Sequence, residues 1–239
     1  RPERLRMAAP AYRSASSVAS FSSADGVVAV GKPAGVAAGD FLLLVWGLCY
    51  TNAATSSQTY PSGFTPLWEF NATPSNAGIA LAYKVAGGSE PGTYSIQQAT
   101  AAAGADRARM LAWSGVNTTT PIDVSSSMSD QPATASPVAP SVTTTGADRL
   151  LISAAIEYSG ANRTIAAPGS MTDRWQWTAV PSLEICEEVI AAAGATGTRT
   201  FAVTPSAAYF KTLSFALASA GGGGGGGGHL RKTLQLMGG

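Results

Sequence analysis

Apolar residues alternate with polar ones, or run unbroken over strand-like lengths, along most of this chain. Gly78–Ala86 (GIALAYKVA), Thr93–Thr100 (TYSIQQAT), Ala108–Gly115 (ARMLAWSG), Leu150–Tyr158 (LLISAAIEY) and Leu183–Ala191 (LEICEEVIA) carry this signature, which belongs to strands rather than helices. The longest apolar run, Phe41–Leu48 (FLLLVWGL), is also strand-sized. It falls well short of the roughly 18 to 20 residues that cross a bilayer, so a soluble chain with no membrane contact is expected. Clusters of Gly, Pro, Ser, Thr and Asn separate the runs at roughly the 8 to 12 residue spacing of sandwiches and barrels. Ala99–Met110 offers a helical alternative through its alanines, but Gly104 interrupts it, and Ala alone is a weak vote.

The pattern occurs twice. AGDFLLLVWGL (38–48), PSGFTPLWEF (61–70), IALAYKVAGGSEPGTYSI (79–96) and RMLAWSG (109–115) are followed in the same order by GADRLLISAAI (146–156), APGSMTDRWQW (167–177), LEICEEVIAAAGATGTRTFAV (183–203) and YFKTLSFAL (209–217). Asp40 then corresponds to Asp148, Gly63 to Gly169, Trp68 to Trp175, Phe70 to Trp177, Gly92 to Gly197 and Trp113 to Phe215, at offsets between 102 and 108. Each half, about 27–116 and 138–218, offers about four strands. Packed together they predict an all-β fold, a two-layer antiparallel β-sandwich of about eight strands in the jelly-roll or a related style. Leu42, Leu44, Trp46 and Leu151 are expected in its core. Asp40 and Asp148, each just before a strand, are expected to cap turns through their carboxylates.

The sandwich is expected over 14–220, with a basic arm at 1–13. Between the halves, Asn117–Pro140 is polar and Pro-rich and reads as a long surface crossover, which Pro121 and Ile122 pin to the body. Gly221–Gly228 is an octaglycine, a flexible linker unless a partner orders its backbone. Beyond it, Leu230, Leu234 and Met237 lie at i, i+4 and i+7, one apolar stripe beside the basic Arg231 and Lys232. So short a helix is marginal alone, and these five residues are read as a partner-docking peptide.

Charge sharpens this division. Only 12% of the 239 residues are charged and the net charge is +1, against roughly 25% charged residues in an average globular domain. Residues 8–220 hold 10 basic and 13 acidic side chains, whereas both ends are basic. A mildly acidic body argues against nucleic-acid binding and leaves basic ends suited to acidic protein surfaces. The Ala/Ser-rich residues after the basic start contain no continuous apolar stretch, so no leader peptide is expected. Cys49 and Cys186 are far apart, without metal-ligand spacing, and read as buried free thiols rather than a bridge.

Catalytic chemistry finds little material. The only histidine is His229, which excludes a histidine-based triad within the sandwich and most zinc sites, so no metal or cofactor is expected. Glu184, Glu187 and Glu188 share one strand, Glu184 and Glu188 on one face. With Glu69, Glu157 and Asp173 they are the carboxylates from which a hydrolase would be built, and they read more simply as solvated outer-face groups. No phosphate-binding loop occurs outside the meaningless match within the octaglycine. Tyr60, Trp175 and Trp177 are candidates for stacking on a sugar, although recurrence of the Trp pair at matching places in both halves favours core. Asn71, Asn117 and Asn162 each begin an Asn-x-Thr sequon.

PAGVAAGDFLLLVW, PSGFTPLWEF, LAYKVAGGSEPGTYSI and LAWSGVNTTTPID together resemble a module of tail and other virion proteins from bacteriophages of high-GC, actinobacterial hosts. The glycine run before a short final peptide is similar to their minor tail proteins. The resemblance covers about 8–218, most strongly the first half, and its motifs specify a module rather than an activity. It implies a non-enzymatic virion structural protein, a minor tail or tail-tip component assembled with other virion proteins or with further copies of itself. A capsid decoration or head-fibre protein and a module adhering to host-surface glycans are the alternatives.

Overall fold

The computed structural model describes residues 8–21, 26–49, 58–71, 77–98, 106–126, 128–157, 162–205 and 207–221, and every regular element among them is a strand. The first half contributes β1 (Ala11–Ala15), β2 (Ala19–Ser20), β3 (Val27–Gly31), β4 (Phe41–Cys49), β5 (Gln58–Thr59), β6 (Thr65–Asn71), β7 (Ala77–Val85), β8 (Thr93–Gln98) and β9 (Arg107–Ser114). The second contributes β10 (Ile122–Ser125), β11 (Ser129–Thr134), β12 (Val138–Ala139), β13 (Thr143–Thr144), β14 (Arg149–Glu157), β15 (Thr164–Ala166) and β16 (Thr172–Trp177). It continues with β17 (Leu183–Ile190), β18 (Gly194–Ala195), β19 (Arg199–Thr200), β20 (Ala202–Thr204) and β21 (Ala208–Leu217).

Each half builds one large antiparallel sheet. The orders are β1-β9-β4-β7-β6, with β2 also on β9, and β10-β21-β14-β17-β16, with β11 also on β21. These orders coincide when the strands are matched as the sequence repeat matches them. The irregularities coincide as well: β1 bulges between Tyr12 and Ser14 and β10 between Ile122 and Val124. Likewise β6 bulges between Pro66 and Trp68 and β16 between Asp173 and Trp175. A bulge places one extra residue on an edge strand and re-aims its side chain.

The sandwich has more layers than the sequence suggests. Phe41, Leu43 and Val45 of β4 face Leu150, Ile152, Leu183, Ile185 and Phe215 of the other half in one core between the two large sheets. Leu42, Leu44 and Trp46 point the opposite way, under a small sheet of β3, β8 and β5. Leu151, Ala155 and Cys186 do the same beneath the β12-β19, β13-β18 and β15-β20 ribbons. Each half is therefore a sandwich in itself, and the two join through their large sheets. About eight strands was too few because period-two reasoning gives a strand only one apolar face. An unbroken run such as FLLLVWGL needs both faces covered, and each fully buried Leu or Phe contributes about 1.5–3 kcal/mol. Leu42, Leu44, Trp46 and Leu151 are all fully buried, as expected.

Close approach of the halves depends on Gly47. A Cβ there would lie 2.8 Å from Pro181 Cγ and 3.2 Å from Leu183 Cδ2. The segment Asn117–Pro140 is also more ordered than a surface crossover: it supplies β10 and β11, both on β21, and all of β12. Pro121 does pin it, accepting the Ala218 amide at 2.9 Å. The basic arm expected over 1–13 is shorter, because Ala11–Arg13 belong to β1. The helical alternative at Ala99–Met110 lies outside the described residues up to 105, and its last part is β9.

Candidate functional site

Side chains from the two large sheets meet along a seam where β9 and β1 face β16 and β17. The Arg107 guanidinium lies 5.3 Å from the Trp177 ring centre and Arg109 lies 6.0 Å from that of Trp175. Arg174 reaches back over Tyr12 at 4.3 Å, and Tyr12 packs edge-on against Trp113. Glu187 closes the cluster: Trp113 Nε1 donates to its Oε2 and Arg174 Nη2 to its Oε1, the latter at 2.5 Å. Burial raises the Tyr12 phenol above its usual range, while Arg109 and Arg174 pull it down. Desolvated cation–aromatic contacts strengthen as water leaves, so this seam fixes how the halves pack.

That arrangement uses up two glycan candidates. Trp175 is buried and Trp177 is half-buried against the core, with Arg107 over its ring. Tyr60 is half-buried against the first outer core. A sugar needs an open ring face, and none of the five tryptophans is exposed. The Trp68 and Trp175 equivalence is one of core packing, Trp68 lying against Phe215 at 5.5 Å. The docking residues Leu230, Arg231, Lys232, Leu234 and Met237 lie outside the described residues, as does the Cys49 side chain. Cys186 is a free, buried thiol whose pKa burial pushes up.

Of the six carboxylates read as solvated, Glu69 and Asp173 are exposed as expected, but Glu157 and the three of β17 are not. Glu187 is buried in the seam, whereas Glu188 is half-buried and pairs with Arg199 at 2.8 Å. Glu184 is fully buried on the outer face of β17, where burial, with the charge of Asp173 next, pushes its carboxyl up to about 9. Burial likewise raises Asp173. At neutral pH Glu184 is therefore a protonated acid under the β-ribbons. Alternation does put Glu184 and Glu188 on one face and Glu187 on the other.

Asp40 accepts the Ala37 amide at 2.7 Å, the turn cap expected of it, and also holds Arg13 of the β1 bulge. Asp148 adopts a left-handed φ of 54°. In the second half the charges are exchanged: the β10 bulge carries Asp123, which pairs with Arg149 at 2.9 Å. Sequence alignment of the halves places Asp148 opposite Asp40 and conceals this reversal.

Arg149 ties the pair to a corner of the molecule. Its Nη1 donates to Ser219 Oγ at 3.0 Å, and Ser219 bridges to Val116. Ala220 donates to Gly115 O at 2.7 Å, and Asn117 to Ala218 O at 2.8 Å. Gly115 has φ +72°, and a Cβ there would stand 3.8 Å from Ala9 O and Pro10 Cα. The chain thus enters the body at Ala9 and leaves it at Ala220 on either side of one glycine. At that end a cavity of about 450 Å³ is lined by Lys84 and Tyr94. Its cation is already neutralised: Lys84 and Tyr94 both donate to Glu90, at 2.8 and 2.6 Å. Burial works to raise Glu90, but bonds from Lys84, Tyr94 and the Gly87 amide leave it below its usual value.

No family model, no curated protein and no solved structure matches this chain. Among the described residues, no group of three or more His, Cys, Asp or Glu side chains could hold a metal ion. Among the same residues, no helix is long and apolar enough to cross a membrane.

Proposed function

We propose that this chain is a non-enzymatic structural protein of a bacteriophage particle, a minor tail or tail-tip component that displays its paired sandwiches and is held by its ends. The observation that carries the reading is the corner at Gly115, where Ala9 and Ala220, the described residues next to segments 1–7 and 222–239, both approach one glycine. These segments hold the basic residues that offset a mildly acidic body, so a single acidic surface on a neighbouring subunit can engage both. The opposite end of the sheets, where β4 ends and β9 and β17 begin, then points away from the particle. Sequence resemblance to actinobacteriophage virion modules supports the same role. Neighbouring virion proteins, including further copies of this chain, are the partners.

Electron microscopy of particles labelled with antibody to this chain tests the location. Label on the tail is expected; label on the head would replace the tail reading with a decoration or head-fibre protein, and label on neither would overturn both. A chain truncated after Ala220 keeps the Gly115 bond, should fold, and should fail to join the particle. Normal incorporation of that truncate would refute anchoring through the glycine-linked segment.

A further inference from the structure

Seven arginines fall within the described residues, and six are engaged by acids or rings. Arg13, Arg149, Arg174 and Arg199 pair with Asp40, Asp123, Glu187 and Glu188. Arg107 and Arg109 lie over Trp177 and Trp175. Arg163 has neither kind of partner among the described residues. Its Nη1 donates to the Asn162 carbonyl at 2.8 Å, and its Nε is buried with no acceptor. The Nε of Arg174 is buried without an acceptor as well, so what sets Arg163 apart is the lack of an acid or a ring beside its guanidinium.

The backbone below this side chain is fixed. The Arg163 amide donates to Thr178 O at 3.1 Å and to Ser182 Oγ at 2.8 Å, and Asn162 Oδ1 accepts the Val180 amide at 3.0 Å. Asn162, Arg163, Thr164, Thr178 and Thr204 line an open cavity of about 370 Å³, near the lower end of the roughly 300–1,000 Å³ typical of small-molecule sites. All three threonines are exposed, and no hydrogen bond among the described residues uses their hydroxyls. Among the described residues, no acidic or aromatic side chain lines the cavity. A cationic fork surrounded by hydroxyls selects a small anion that also carries hydroxyl groups.

We propose that this cavity binds an acidic sugar, with Arg163 holding its carboxylate and Thr164, Thr178 and Thr204 meeting its ring hydroxyls. The cavity opens at the end of the second sandwich remote from Gly115. The proposal stands on the lining alone and does not depend on the virion reading, so either can fail without the other.

Calorimetric titration of the full chain with D-glucuronate, D-glucose and acetate separates the contributions. Glucuronate should bind at one site, with glucose, which lacks the carboxylate, and acetate, which lacks the hydroxyls, each at least about tenfold weaker. Arg163→Gln should weaken glucuronate by at least about tenfold, and Arg163→Lys should recover only part of that, because an ammonium cannot offer the planar fork. Thr204→Val, at an exposed site, should reduce the preference for glucuronate over acetate, and it carries the test if Arg163→Gln fails to fold. Absence of glucuronate binding, acetate binding as tightly as glucuronate, or unchanged affinity in folded Arg163→Gln would each overturn the proposal.

Discussion

Replacing Gly47 by Ala probes the contact that joins the two sandwiches. Two effects oppose each other. Alanine restricts the unfolded chain and suits a strand interior better than glycine, a gain of about 0.5–1 kcal/mol. Against it, the new Cβ would sit 2.8 Å from Pro181 Cγ and 3.2 Å from Leu183 Cδ2, both from the opposite half. Carbon atoms attract best near 3.5–4.0 Å. Leu183 can rotate, but a pyrrolidine ring can shift its Cγ only slightly, by changing pucker, so the sheets must separate or β4 must bend. Overpacking of this kind costs about 1–3 kcal/mol, and the clash outweighs the gain by about 1–2 kcal/mol. For a chain of this size, that lowers the melting temperature by about 2–8 °C. Differential scanning calorimetry of the full chain measures it, with Gly88→Ala as control: Gly88 is exposed and a Cβ there meets nothing within 4 Å. The control should melt unchanged or slightly higher. A Gly47→Ala protein melting at or above the wild-type temperature would refute close packing of the halves at this position.

Asp123→Ala leaves Arg149, itself buried, without its carboxylate and should cost about 3–5 kcal/mol in urea denaturation. Arg13→Ala, at the equivalent but more exposed bulge, should cost about 1 kcal/mol, and equal losses would show that the two pairs do not differ as their burial implies. Glu187→Ala removes the acceptor of Trp113 Nε1 and the partner of Arg174; about 2–3 kcal/mol should be lost, and an unchanged urea midpoint would remove the seam from the account of how the halves dock. Glu184 ionises near 4.5 when exposed but near 9 in the folded chain, so between those values the folded state holds one more proton than the unfolded state. Stability should therefore fall as pH rises through that window, by about 1.4 kcal/mol per unit from this group. Glu184→Gln should flatten the profile, and a slope identical to wild type would contradict a buried neutral acid.

Much of the strand layout was legible because alternation and apolar run length are local properties. The sequence places strands at 78–86, 108–115, 150–158 and 183–191, and the observed β7, β9, β14 and β17 differ from these by only a residue at either end. The repeat was readable as well, since matched Asp, Gly and aromatic positions report matched turns and edges, and the shared sheet order agrees with them. Candidate sites were less accessible. Trp175 and Trp177 stood out as bulky aromatics, yet the only sequence sign that Arg107 and Arg109 would cover them was the shared period-two spacing of the Arg and Trp pairs. Arg163 gave no signal: an Asn-Arg-Thr stretch before a short strand is ordinary loop composition.

By itself, then, the order of residues determined the all-β class, the duplication, the strand positions and the contrast between an acidic body and basic ends. Only the tertiary structure decided what lies on each side of a strand. Alternation says that Leu42 and Leu43 point in opposite directions, but whether the second face meets solvent or another sheet depends on segments far away along the chain. The same holds for charge. Whether Glu187 is a solvated group or the acceptor for Trp113 and Arg174, and whether Arg163 finds an acid or an open cavity, are set by which chain segments desolvate each group and what they place opposite it.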